Sequence, residues 1–320
     1  MKILIIGLDG ASAELLFGDE SLVNIRRLME WGCYGRLQSV TTPGPVSGWL
    51  CLATSRDPST LGVFDDGSDA ENGAVFTGGK LQFPALWDAL AVHSKHTTLI
   101  GMSSLLPSAI MMTSGGTRNP TTDFLTTVES THSGAPEKIN RPESPERSST
   151  QIYETSRDQF ELARQHLQKE RWDFLQVVDC GLDRLLHQAC HTSSETIQDY
   201  FRYLDEQIGG TLELLTEDTV VLIVSVIGAQ PVDGSDYTVP TEGCFVLAAP
   251  NCSLNGEVQD AHMLDMAPSV LELAGYDIPP TMQGRSIFAG QTNERGVNQA
   301  LSDDEEDIIR QRLVGLGYIE

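Results

Sequence analysis

The segment Thr219-Val-Val-Leu-Ile-Val224 has no polar residue after its first position. A strand with one wet face alternates apolar and polar side chains, so an unbroken run implies cover on both faces. Ile3–Ile6, Trp172-Asp-Phe-Leu-Gln-Val-Val178 and Phe245-Val-Leu-Ala-Ala249 read as strands in the same way, and Thr97–Gly101 as a shorter one. Between them the apolar spacing turns helical, over Leu22–Trp31, from Phe83 to Leu90, and over Ile152–Arg171, Tyr200–Leu215 and Leu264–Leu273. Strand alternating with helix is the signature of an α/β fold, a mainly parallel sheet sandwiched between helices. With 320 residues, 40% of them hydrophobic, the chain can bury a large core, and residues 1–320 read as a single domain. Residues 129–150, rich in Ser, Pro, Glu and Arg, read as an exposed or poorly ordered insertion. An acidic surface helix is expected over Ser302–Leu316, with Ser302 as its cap and Glu305 in the capping-box position.

Charge narrows the partners. The chain carries 45 acidic against 21 basic residues, a net charge of −24. Such a surface repels nucleic acid and anionic membranes, so neither is expected as a partner. What remains is a small-molecule or protein ligand of unknown identity. The six cysteines are scattered without a Cys-x-x-Cys pair and read as buried free thiols in a reducing compartment. Met1–Gly7 reads as a strand entering a turn rather than a signal peptide, and no apolar stretch reaches membrane-spanning length, so a cytoplasmic location is expected.

Two places carry metal chemistry. Gly7-Leu-Asp9-Gly10 is a turn at the carboxyl end of the first strand, where open α/β sheets hold their ligands. Asp183-Arg-Leu-Leu-His187 follows another buried strand. If Asp183 opens a helix, His187 lies one turn on and shares its face, and His191 extends that face. A carboxylate and an imidazole so placed can meet at one metal ion. Each residue also has a plain structural reading. Asp9 suits a turn before glycine, and Asp183 with His187 suits a helix cap beside a surface histidine. His93, His96, His132, His166 and His262 lie away from these motifs and read as surface residues, and Thr113–Thr117 lacks the lysine of a phosphate loop.

In order along the chain, Gly7–Gly10, Trp49-Leu-Cys-Leu-Ala-Thr54, Asp57-Pro58, Gly62–Asp65, Leu86-Trp-Asp88, Asp183-x-x-x-His187 and Leu264–Leu271 resemble the alkaline phosphatase superfamily. The likeness is to its type I phosphodiesterase and nucleotide pyrophosphatase branch. Gly275–Pro279, Met282–Arg285 and Leu316–Ile319 are similar to that family's endings. The resemblance implies two divalent metals, usually zinc, flanking a Ser or Thr nucleophile that attacks phosphorus or sulfur. On this basis Asp9 matches one metal's first-strand ligand, and Asp183 and His187 match ligands of the other, with His191 a further donor.

The rest of the ligand set departs from the family. Where the family carries Ser-Asp-His-Gly this chain has Ser225-Val-Ile-Gly228, and Tyr237–Gly243 lacks the last histidine. Half of the ligand positions are thereby lost. The nucleophile position falls on Pro45, or on Ser47 if two residues are deleted. Without a complete metal pair a serine hydroxyl keeps a pKa far above neutrality. Two readings follow. One is a diverged member that has lost two-metal hydrolysis and serves as a pseudoenzyme or uses a repurposed pocket. The other is a phosphate or sulfate ester hydrolase with one zinc, manganese or magnesium ion held by Asp9, Asp183 and His187, and Ser47 or a water as nucleophile.

Overall fold

Strand β1 (Lys2–Leu8) is the axis of the sheet, hydrogen-bonded in parallel to β8 (Thr219–Ser225) on one side and β7 (Phe174–Asp179) on the other. This computed structural model describes residues 1–40, 45–62, 76–77, 80–81, 83–93, 95–102, 122–124, 149–168, 172–187, 194–228, 230–231, 237–238 and 242–289. Among these, the strand order is β12 (Gly256–Glu257), β2 (Cys33–Gln38), β11 (Glu242–Ala248), β8, β1, β7, β5 (Thr97–Ile100) and β6 (Thr122–Phe124). β11 alone in this described sheet runs against its neighbours, pairing antiparallel with both β8 and β2. The expected mainly parallel sheet between helices is therefore the observed one.

Period-two geometry divides each buried run between two cores. Ile3, Ile5, Val220, Leu222, Val224, Phe245 and Leu247 face one side. There they meet Trp49–Ala53 of helix α3 (Pro45–Thr54) and Val270 and Leu271 of the helix Met266–Ala274. Leu4, Ile6, Leu8, Val221, Ile223 and Val246 face the other. The helices Val23–Trp31, Ser149–Leu167 and Ser194–Leu212 cover that side. The long helix starts at Ser149, so residues 149–150 belong to it and not to the expected insertion. Residues 129–148 and the expected helix over 302–316 lie outside the described residues. His166 is a correction to the sequence reading: it is buried, with Nδ1 2.9 Å from the Leu162 carbonyl, one turn back in its own helix.

Several motif residues turn out to be framework. Asp57 caps the short helix Pro58–Leu61 by accepting from Thr60 N at 2.9 Å, and the Ser59 hydroxyl together with the Thr60 bonds holds its carboxyl below the usual carboxylate range. Ser55, at φ 53°, donates from its hydroxyl to the Leu264 carbonyl at 2.6 Å and accepts from Gly284 N at 3.0 Å. His262 and Asp265 form a reciprocal capping box, and Asp265 also accepts from Arg285 N at 2.8 Å. These bonds tie residues 55–60, 262–269 and 282–288 into one layer of turns.

Gly7 is a tight point of the packing. A Cβ there would overlap the Trp49 ring, and Trp49 is fully buried. Gly7→Ala should therefore lower stability by about 1–3 kcal/mol through overpacking. Urea denaturation checks this: a midpoint unchanged from wild type would mean Trp49 has room to move.

Candidate functional site

Three chain segments meet at the carboxyl edge of the parallel strands. Past β1, Asp9 N donates to the Asp179 carbonyl at 2.9 Å, so the turn continues the β1–β7 pairing by one residue. The Asp9 carbonyl in turn accepts from Asp183 N at 3.1 Å, in the first turn of the helix Gly181–His187. Gly10, at φ +88°, occupies left-handed space, and a Cβ on it would stand 3.1 Å from the Asp183 backbone. On the other side Gly10 bridges in parallel to Gly228, whose N–H donates to the Glu242 carbonyl at 3.0 Å. Residues 9–12, 181–183 and 226–228 thus abut.

The side chains differ in setting. Asp9 is 2% exposed and Asp183 is half-buried. The backbone of His187 completes its helix, while its side chain and all of His191 lie outside the described residues. Ser47 sits in the first turn of α3 and is 0% exposed. The next residue, Gly48, is packed on Val226: a Cβ at position 48 would stand 3.1 Å from Val226 Cγ2. Val226 (0% exposed) and Ile227 (6%) belong to the core that Trp49 and Leu50 also form. Ser225, at the end of β8, donates its hydroxyl to the Ile227 carbonyl at 2.8 Å and so closes the bend that carries both residues. Hydrocarbon therefore lies beside the serine-bearing helix.

Sequence reasoning missed Asp179. It ends β7, is 1% exposed, and accepts from Gly181 N at 2.9 Å and from the Tyr200 hydroxyl at 2.9 and 3.2 Å. The Gly181 bond fastens the start of the helix that carries Asp183 and His187. Burial pushes the Asp179 carboxyl above its ordinary value, although these hydrogen bonds and the charge of Arg184 pull the other way. Its signal in the sequence was an Asp two residues before a Gly at a strand end, a common capping pattern. Its partner Tyr200, 21 residues on, gave no such signal.

Could these residues hold metal? Among the described residues no three His, Cys, Asp or Glu side chains gather as a metal-binding group. The backbones of Asp9 and Asp183 are joined, and the residues that would hold one ion are Asp9, Asp183, His187 and His191. Val226 and Ile227 carry no donor atom for an ion.

The comparisons agree with this architecture. A model of the type I phosphodiesterase / nucleotide pyrophosphatase family matches residues 3–311. No curated protein matches the sequence. Among solved structures, a putative sulfatase from Bacteroides thetaiotaomicron is 15% identical with a TM-score of 0.59, covering 89% of this chain and 73% of its own. The phosphonate monoester hydrolase of Silicibacter pomeroyi is 15% identical at a TM-score of 0.55, covering 92% and 77%. An alkaline phosphatase superfamily protein from Vibrio parahaemolyticus is 14% identical at 0.54, covering 95% and 71%. At these identities the likeness is one of fold.

The Asp179 geometry yields a pH test. A carboxyl whose folded pKa lies above its ordinary 3.8 binds protons more readily folded than unfolded. It therefore costs stability as pH rises from that value through the folded one. Asp179→Asn keeps an acceptor and removes the charge, so the two proteins should match near or below the ordinary value. The variant should gain on wild type as pH rises toward neutrality. Urea melts across that range check it: a difference that stays flat with pH would mean that Asp179 carries no such burden.

Proposed function

The chain belongs to the type I phosphodiesterase / nucleotide pyrophosphatase family, and within it we propose a diverged member that no longer runs two-metal phosphoester hydrolysis. One observation carries the reading. Val226 and Ile227, at the positions to which the resemblance assigns an Asp-His ligand pair, are both buried in the core against the Ser47 helix. The family mechanism needs positive charge on both sides of the transferring group, one side activating the hydroxyl and the other stabilising the departing oxygen. Neither valine nor isoleucine can recruit an ion, so one side of that arrangement is missing. Ser47 is fully buried in a helix packed beside that hydrocarbon. The retained edge around Asp9 and Asp183 then serves to bind a small-molecule or protein ligand, or chemistry of another kind.

A second reading has its own observation. Asp183 N donates to the Asp9 carbonyl, which keeps two carboxylate-bearing residues side by side at the edge. Asp9, Asp183 and His187, with His191 as a further donor, would hold one zinc, manganese or magnesium ion. That ion would supply a single positive charge near the ester, and Ser47 or a water would attack.

Turnover separates the two. Loss of a single charge-stabilising donor typically costs about 2.7–4 kcal/mol in the transition state, and a whole ion site costs at least that. Under the first reading, aryl phosphate, phosphodiester and sulfate esters are turned over very weakly even with added zinc, manganese or magnesium. Any residual activity vanishes in Asp183→Ala and His187→Ala. Rapid, zinc-dependent hydrolysis abolished by either substitution would favour the one-ion hydrolase and overturn the first reading.

A further inference from the structure

Cys33 and Cys252 lie 219 residues apart in the sequence, yet Cys33 belongs to the apolar cluster against which Cys252 packs. Strand pairing brings them together. Cys33 opens β2, where it pairs with Leu247 of β11 on one side and Gly256 of β12 on the other. Cys252 lies in the connection between those two strands, which is fastened by Cys252 N donating to the Ala249 carbonyl and Gly256 N to the Gly32 carbonyl, each at 3.0 Å. The Cys252 thiol also donates to the Leu254 carbonyl at 3.1 Å.

The pair is asymmetric. Cys33 is fully buried, whereas Cys252 is partly exposed. The neighbouring Cys33 thiol draws the Cys252 thiol below its ordinary range. Cys252 and burial together raise Cys33. Attack on a disulfide needs a thiolate that solvent can reach, and only then a second thiol within reach. Cys252 suits the first role and Cys33 the second. Cys51, Cys180 and Cys244 are buried.

We propose that Cys33 and Cys252 form a redox pair, which a low-molecular-weight disulfide of the glutathione type converts into an intramolecular disulfide. The Cys252 thiolate attacks one sulfur of the small disulfide, forming a mixed disulfide and releasing one small thiolate. The Cys33 thiolate then attacks the Cys252 sulfur, forming the protein S–S bond and releasing the second small thiolate. The protein loses two electrons and two protons, and the small disulfide is reduced to two thiols. The bond would staple the connection between β11 and β12 to β2.

This pair is remote from the candidate site. β11 runs from Glu242, beside Gly228 at the carboxyl edge, to Ala248 near the opposite edge, and Cys33 pairs with Leu247 at that far end. The inference does not depend on the proposed function, and its outcome leaves that reading untouched.

The test uses the full chain, reduced and then incubated folded with oxidised glutathione. Free thiols are next alkylated in denaturant, and intact mass and non-reducing peptide maps are recorded. The expected result is loss of two alkylation sites, one peptide linking Cys33 to Cys252, and a higher melting temperature that dithiothreitol reverses, because the cross-link constrains the unfolded chain. In Cys33→Ser, Cys252 should stop as the mixed disulfide with glutathione. The proposal is overturned if both wild-type thiols remain alkylatable, if Cys252 stops at the mixed disulfide, or if the linked peptide joins other cysteines. Because the map is read on the wild-type protein, a variant that fails to fold does not weaken the test.

Discussion

Asp9 and Asp179 are buried at the carboxyl ends of β1 and β7, and a charge there must be answered by the protein or by an ion. Burying an unpaired carboxylate costs several kcal/mol even after relaxation, roughly as much as a small domain's whole margin of stability. Asp179 is answered from within, by the Gly181 N–H and the Tyr200 hydroxyl. Under the proposed function, Val226 and Ile227, which need no answer, replace an Asp-His pair that the family answers with metal. On that reading an edge whose stability would depend on bound ions becomes an ordinary piece of core.

That exchange leaves the framework untouched because the framework never depended on the ligands. The β8–β1–β7 register, the meeting of Gly10 with Gly228, and the capped turns of 55–60, 262–269 and 282–288 are built from backbone pairing and local caps. The Asp9 and Asp183 backbones stay joined for the same reason. A fold can therefore keep the shape of a family site after its chemistry has drifted.

Much of this was legible in the sequence. The uninterrupted runs at Ile3–Ile6 and Val220–Val224 betrayed strands covered on both faces, and the order of short motifs led to the family. β2 escaped notice because Gly35 leaves its inward face with little apolar side chain, although Cys33, Gly35 and Leu37 are buried and alternate with exposed Arg36 and Gln38. The direction of β11 could not be read, since a run covered on both faces looks the same parallel or antiparallel. The approach of Asp9 to Asp183 followed from where such turns lie in a parallel sheet. The packing of Val226 on Gly48 did not, because it depends on the path of α3 across the sheet. The nearness of Cys33 and Cys252 was likewise hidden, for it arises from strand order and not from spacing.

The central claim, that half of the site has been filled by hydrocarbon, bears most directly on how many ions the protein retains. Metal analysis by inductively coupled plasma mass spectrometry, on protein purified without chelator and dialysed free of loose ions, counts them. The account predicts at most one divalent ion per chain. Two per chain would contradict it, for the second would have to be held where Val226 and Ile227 leave it no donor.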